Sequence, residues 1–220
     1  MLKITHLTKT YGPKRAVDDL SLHVAPGELW AFIGHNGGDI AIDGVSIKAD
    51  PLGCKAKLAY IPDDPQLYDY MTGIQYLNFV GDIFAVTAAD RRERIRRYGD
   101  AFALTGDLAQ PIGAYSHGMK QKLAVISALL HQPRLILMDE PFVGLDPLAA
   151  HTLKGLMAEH CKAGGAILFS THVLEVAEKL CHRVAIIKGG RLVRTGDMAA
   201  VRGDASLEKV FLELEEGGTC

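Results

Sequence analysis

The sequence predicts an α/β fold: a mostly parallel sheet, antiparallel strands in the N-terminal part and an inserted helical lobe. Three observations carry that expectation. Short apolar runs alternate with helical text in the second half of the chain, as strands joined by crossover helices do. The N-terminal stretch instead holds strand-like segments separated by tight-turn signals, the mark of antiparallel pairing. Between the two, from about Gln75 to Leu130, the pattern is helical.

In order, "LKITHLTKTYG" alternates like a half-buried strand, and "LSLHVAPGELWAFIG" holds two more strands divided by the turn at Pro26-Gly27. "DIAIDGVSI" reads as strand with a hairpin signal at Asp43-Gly44, and "KLAYIP" as a short buried strand. "AADRRERIRRYGDAFALTG" and "SHGMKQKLAVISALLHQ" are helical. Strands return at "RLILMDEP", "GAILFSTH" and "RVAIIKGGRLVRTG", with helices "PLAAHTLKGLMAEHCKAG" and "HVLEVAEKLCH" between. The C-terminal "SLEKVFLELEEG" predicts an amphipathic helix with Leu207, Val210, Phe211 and Leu214 inward. One domain over 1–220 is expected, with 1–72 and 131–220 as its core and about 73–130 as the lobe.

Bulk properties exclude several classes. At 220 residues and 48% hydrophobic content the chain is long enough for one well-cored domain. A formal charge of −2 gives no general attraction for nucleic acid or anionic lipid. The basic run "RRERIRR" lies among Asp90, Glu93 and Asp100 and reads as a solvated helix face with Ile95 inward. Cys54, Cys161, Cys181 and Cys220 lack C-x-x-C spacing and suggest reduced thiols. With no signal peptide and no membrane-length apolar run, a cytosolic protein is expected, reaching a membrane only through a partner.

Two strand ends carry chemistry. In "RLILMDEP" four apolar residues lead into Asp139 and Glu140, carboxylates at the edge where open parallel sheets bind ligands. That placement suits Asp139 to hold Mg²⁺ and Glu140 to polarise a water. "GAILFSTH" ends at His172, able to donate to a phosphate or to the attacking water if the two strands are adjacent.

Together, "YSHGMKQKL" before an apolar helix, then "LILMDEPFVGLDP", then "FSTH" resemble the ATP-binding domain of ABC transporters, and the resemblance covers essentially the whole sequence. The text is most similar to ATPase subunits of bacterial exporters with an S-x-G-M-K-Q signature. The resemblance implies a P-loop NTPase-like fold, with ATP and Mg²⁺ bound. Tyr11 matches the adenine-stacking aromatic, and Gly34, His35, Asn36 and Gly37 the start of the Walker A loop. Asp63 stands where the Q-loop glutamine is usual and would ligate metal. Ser116 and Gly118 match the signature, Asp139 and Glu140 the Walker B aspartate and catalytic glutamate, Leu145 and Asp146 the D-loop, and His172 the switch histidine. It further implies dimerisation with a second ATP-binding subunit, homo- or heteromeric, around two MgATP molecules. A separate transmembrane permease would dock near "PQLYDYMTGIQYLNFV", with Tyr68, Tyr70, Tyr76 and Phe79. The same aromatics read equally well as lobe packing.

The phosphate loop is the departure. "GHNGGDIAIDG" opens the G-x-x-x-x-G-K-[ST] pattern, then has Asp39, Ile40 and Ala41 where Gly, Lys and Ser/Thr belong. If the chain truly joins Gly37 to Gly38, "LWAFI" and "DIAIDGVSI" could pair through an Asn36-Gly37 turn. If instead the parent protein has a further segment here, loop, crossover helix and return need about 20 residues. The second is favoured, because losing the helix is expected to uncover one face of "LWAFIG" at ~1.5–3 kcal/mol per stripped side chain. The 220-residue polypeptide itself is expected to be inactive. Alternative readings are a non-catalytic regulatory ABC subunit, and a soluble ABC protein of DNA repair or translation, which would carry insertions this chain lacks.

Overall fold

A computed structural model describes residues 1–11, 14–33 and 39–216, the side chains of 11, 14–16, 32, 33, 39, 215 and 216 excepted. The chain runs β1 (Leu2–Tyr11), β2 (Lys14–Val24), β3 (Leu29–Ile33), β4 (Asp39–Ile42), β5 (Val45–Ser46), α1 (Pro51–Ala56) and β6 (Leu58–Ile61). Helices α2 (Gly73–Ile83), α3 (Ala88–Ala101) and α4 (His117–Leu130) follow. Then come β7 (Leu135–Asp139), α5 (Pro147–Lys162), β8 (Ala166–Ser170), α6 (Leu174–Leu180), β9 (Arg183–Lys188), β10 (Arg191–Asp197), α7 (Met198–Arg202) and α8 (Leu207–Glu216).

Two sheets form. One is antiparallel, in the order β2-β1-β4-β5; the other has the order β10-β9-β3-β8-β7-β6 and is parallel except for β10. Alternation along the central strands decides which face meets what. Leu29 and Ala31, Ile136 and Met138, Ile167 and Phe169, and Val184 and Ile186 face the helices. Trp30, Leu135, Leu168, Ala185 and Ile187 face the antiparallel sheet, whose Leu2, Ile4, Leu7, Val17, Leu20, Leu22, Val24 and Ile42 close a second core. The parallel sheet is therefore buried on both faces, as continuous apolar strands require.

The hairpin left open as the disfavoured alternative for the broken loop does not form, and the expected uncovering of β3 is not seen. β3 does not pair with β4: it lies between β8 and β9, while β4 pairs with β1, Leu2 opposite Ile42. Nor is the face of β3 uncovered at its described side chains. Trp30 is only 2% exposed, because the antiparallel sheet packs on it and Arg183 lies over its ring at 4.8 Å. Gly34, His35, Asn36 and Gly37, like the ring of Tyr11, lie outside the described residues.

The basic run is also more than a solvated face. Ile95 is buried as expected, but Arg91 binds Asp82 at 2.6 Å, Arg94 donates to the Leu130 carbonyl at 2.8 Å and Arg97 meets Glu159 at 2.6 Å. These arginines tie α3 to α2, α4 and α5. At the C-terminus Leu207 and Val210 are buried and Phe211 and Leu214 half-buried, as the apolar spacing requires.

Candidate active site

β7 and β8 pair in parallel with Asp139 opposite Ser170, so both strands deliver their last residues to one edge. There the Ser170 hydroxyl donates to Asp139 Oδ1 and accepts from the Glu140 amide at 3.3 Å, fastening the two strand ends. Glu140 is held by three donors. The His172 amide reaches Oε1 at 2.7 Å, His172 Nδ1 lies 2.8 Å from the same oxygen, and the Thr171 hydroxyl donates to Oε2 at 3.2 Å. Glu140 is 22% exposed and His172 72%, so the imidazole stands at the solvent side of the carboxylate.

Glu140 carries a φ of +43°, a left-handed value that L-residues seldom adopt. Such backbone costs of order 1–3 kcal/mol and persists where surrounding bonds over-determine it. Here the Glu140 amide also donates to the Ser170 carbonyl at 3.2 Å, and its carbonyl accepts from Val143 at 3.0 Å. The strand end thus turns sharply and presents the carboxylate to His172.

A second group of predicted residues gathers at the start of α4. Ser116 is its N-cap and accepts from the Met119 amide at 3.3 Å. Gly118 lies against the turn after Glu140: a Cβ there would sit 2.6 Å from the Gly144 carbonyl oxygen. Asp146 caps α5 by accepting from Ala149 at 2.8 Å, and its other oxygen takes Lys122 Nζ at 2.8 Å. The Lys122 hydrogen bond first, then the Ala149 amide, hold the Asp146 carboxyl below its ordinary value. Signature and D-loop are thereby locked together within one chain. Among the described residues no hydrogen bond or ion pair joins Ser116, Gly118 or Asp146 to Glu140 or His172, so within one subunit the predicted site divides into two clusters.

Asp63 is exposed just beyond β6 and accepts from the Asp64 amide at 2.9 Å. Its carboxylate and that of Asp139 both act on Tyr60, whose phenol is pushed up by partial loss of hydration and then by these two charges. Among the described residues no three His, Cys, Asp or Glu side chains gather as a metal cage. Asp139 Oδ2 has no hydrogen-bond partner among them, and one or two carboxylates completed by substrate phosphates is the usual arrangement for Mg²⁺. The donor set fits that ion.

Sequence reasoning overlooked Ser170, Thr171 and Lys122. The first two were visible inside "FSTH", where the strand's alternation passes into hydroxyl residues at the ligand edge. Lys122 follows the signature by one helical turn and carried no signal of its own.

The fold and this edge define a P-loop-type ATPase domain, and a family model described as "AAA domain, putative AbiEii toxin, Type IV TA system" matches residues 58–178, more than half of the chain. The ABC-type transporter ATP-binding protein EcsA of Bacillus subtilis (strain 168) is 30% identical, with 97% of this chain and 96% of the relative covered. A solved structure described as the ATP binding subunit of an ABC transporter superposes with a TM-score of 0.93 at 32% identity, covering 98% of this chain and 99% of that one. The ATP-binding cassette MJ0796, solved as a dimer in a post-hydrolysis state with ADP and Pi, shares the fold with a TM-score of 0.76 at 20% identity, over 90% of this chain and 99% of that one. The chain belongs to the ATP-binding proteins of ABC transporters. The EcsA alignment runs over 237 positions, more than the 220 residues of this chain, so the relative holds residues with no counterpart here.

Proposed function

We propose that the edge formed by β7 and β8 is the hydrolytic half of a composite MgATP site, and that the Ser116 end of α4 serves the nucleotide held by a second subunit. The observation that carries this reading is the pairing of Glu140 with His172 at 2.7–2.8 Å, beside Asp139, at the carboxyl ends of adjacent parallel strands. Glu140 orients or deprotonates water, and His172, freed from Glu140 by rotation of its exposed ring, donates to the transferring phosphate. Asp139, with Asp63 nearby, holds Mg²⁺, which neutralises phosphate charge when bound. The N-terminus of α4, capped by Ser116, offers amide donors to an anion, and Gly118 lets the turn at Gly144 pack close against it. Tyr11 and Gly34–Gly37 complete the base and phosphate contacts.

On this reading residues 73–130 act as a lobe that carries the signature, and the subunit is cytoplasmic and peripheral to the membrane. Two ATP-binding subunits dimerise, as MJ0796 does with ADP and Pi, and drive a separate transmembrane permease in the export direction. Among the described residues no helix is long and apolar enough to cross a membrane. Tyr68, Tyr70 and Phe79 are exposed and Tyr68 touches the other two at ring-centroid distances of 5.8 Å, an aromatic surface fit for a permease helix.

The site also sets a limit on this polypeptide. Five residues join β3 to β4, and Gly34, His35, Asn36, Gly37 and Gly38 provide neither the lysine for the β/γ-phosphates nor the hydroxyl for Mg²⁺. Purified chain of verified mass is expected to show no ATP turnover and only very weak MgATP binding by calorimetry, since phosphate charge lacks its main counter-charges. Robust turnover by that sample overturns the assignment of the gap.

A further inference from the structure

A cleft of about 410 Å³ opens at the opposite edge of the parallel sheet from Glu140 and His172. It is bounded by Arg134 and Gly165, which immediately precede β7 and β8, so a strand length of roughly 15 Å separates it from the nucleotide edge. Its volume falls within the about 300–1,000 Å³ usual for small-molecule sites. Tyr98 from α3, Leu129 from α4 and Leu156 from α5 supply its apolar part, Arg97, Arg134 and Glu159 make the remainder polar, and the imidazole of His160 forms a wall.

Charge decides what it would hold. Arg97 is already neutralised by Glu159 at 2.6 Å. Arg134 is not: its Nε lies 3.7 Å from Asp43 Oδ2, an oxygen shared with Lys57 Nζ at 3.8 Å, and its guanidinium makes no hydrogen bond among the described residues. Two cations thus share one carboxylate, leaving one positive charge in excess and a planar fork of donors, 52% exposed, beside the apolar part of the cleft. The C-terminus of α5 opposes an anion here through its dipole. Its last carbonyls are engaged, however: Glu159, His160 and Cys161 accept from Ala163, Gly165 and Gly164 at 2.9–3.0 Å.

We propose that this cleft binds a small organic carboxylate with an aromatic or aliphatic body, anchored bidentately by Arg134 and packed on Tyr98, Leu129 and Leu156. Such an occupant touches α3, α4 and α5 together, adding to the clasp that Arg97–Glu159 makes between α3 and α5 at this edge. The site is independent of the nucleotide reading, and its test needs no ATP.

The test is a titration of ¹⁵N-labelled protein with phenylacetate and with its neutral isostere phenylacetamide, followed at backbone amides. Phenylacetate is expected to shift Arg134, Ala163 and Gly165 saturably in the millimolar range, with the amide about tenfold weaker for want of the charge-assisted pair. Arg134→Gln should bring the acid down to the amide's affinity, whereas Arg134→Lys, which keeps the charge but loses the fork, should lose only part. Unsaturable or scattered shifts, equal binding of the amide, or unchanged acid binding in a folded Arg134→Gln protein each overturn the proposal.

Discussion

Glu140 shows how much a single residue's geometry can hide from the text. Its identity and its place after an apolar strand were readable, but its left-handed backbone and its grip by His172 and Thr171 were not. A carboxylate at a strand end is written the same way whether it points to solvent or to an imidazole. Gly118 is the opposite case. Its place in the signature was legible, and the structure supplies the reason: no side chain fits between it and the Gly144 carbonyl at 2.6 Å. Gly118→Ala should therefore cost ~1–3 kcal/mol of stability through overpacking against backbone. Gly144→Ala should cost at least as much, since it combines a φ of +76° with a Cβ 2.3 Å from the His117 ring. Gly155→Ala, in the exposed interior of α5 with nothing within 4 Å, should instead stabilise by ~0.5–1 kcal/mol. Urea unfolding of the three variants checks the ranking; equal effects at Gly118 and Gly155 would remove the steric account of the signature.

At the scale of elements, helix starts are fixed locally by side-chain caps that the apolar periodicity does not mark. Thr72, Thr87, Ser116 and Asp146 each accept from an amide of the first turn, and Thr72 with Gln75 completes a capping box. Asp50 likewise caps α1, a helix the sequence analysis does not anticipate because its six residues are too few to show a periodicity. What joins elements was less legible, since it depends on pairs far apart in sequence. Glu28, at the start of β3, is such a joint: its carboxylate accepts from Trp30 Nε1 at 2.8 Å and from the Ala25 amide at 2.7 Å, and meets Arg183 of β9 at 3.4 Å. Burial opposes its ionisation, but the bonds from Trp30, Ala25 and Arg183 outweigh that and hold the carboxyl below its ordinary 4.5. A depressed folded-state value contributes stability above the unfolded one and loses it as pH falls through the folded one. Denaturation midpoints measured downward from pH 6 should therefore fall as pH drops below about 4.5, and Glu28→Gln should flatten part of that slope. An identical acid limb in wild type and variant would show that this joint contributes nothing.

For the whole molecule, the alternation that sends Leu29 and Ala31 toward the helices and Trp30 toward the antiparallel sheet was legible in type but not in consequence. The strands were readable as strands, and the parallel run of β7 and β8 followed from the helix between them. That a second sheet, not helices, covers the other face was not, because it depends on β1 pairing with β4, strands far apart in the sequence. The same contacts make the molecule tolerant where its loop is broken. β4 is held by β1 over Leu2–Ile42 to Thr5–Asp39 and does not depend on β3, so the joint between Gly37 and Gly38 can be lengthened without changing either sheet's register. Closing a loop longer by about 20 residues costs only ~1–2 kcal/mol by chain entropy. Inserting a complete phosphate loop and crossover helix there is accordingly expected to leave the domain folded and to confer MgATP binding. In that background Glu140→Gln should bind nucleotide without turning it over and accumulate a nucleotide-bound dimer, visible by size-exclusion chromatography with light scattering. If the inserted protein folds, binds MgATP and hydrolyses it as fast with the Glu140→Gln change as without it, the water-orienting role belongs to another residue; if it folds and still binds no nucleotide, lack of a phosphate loop does not account for the weak binding expected of the 220-residue chain.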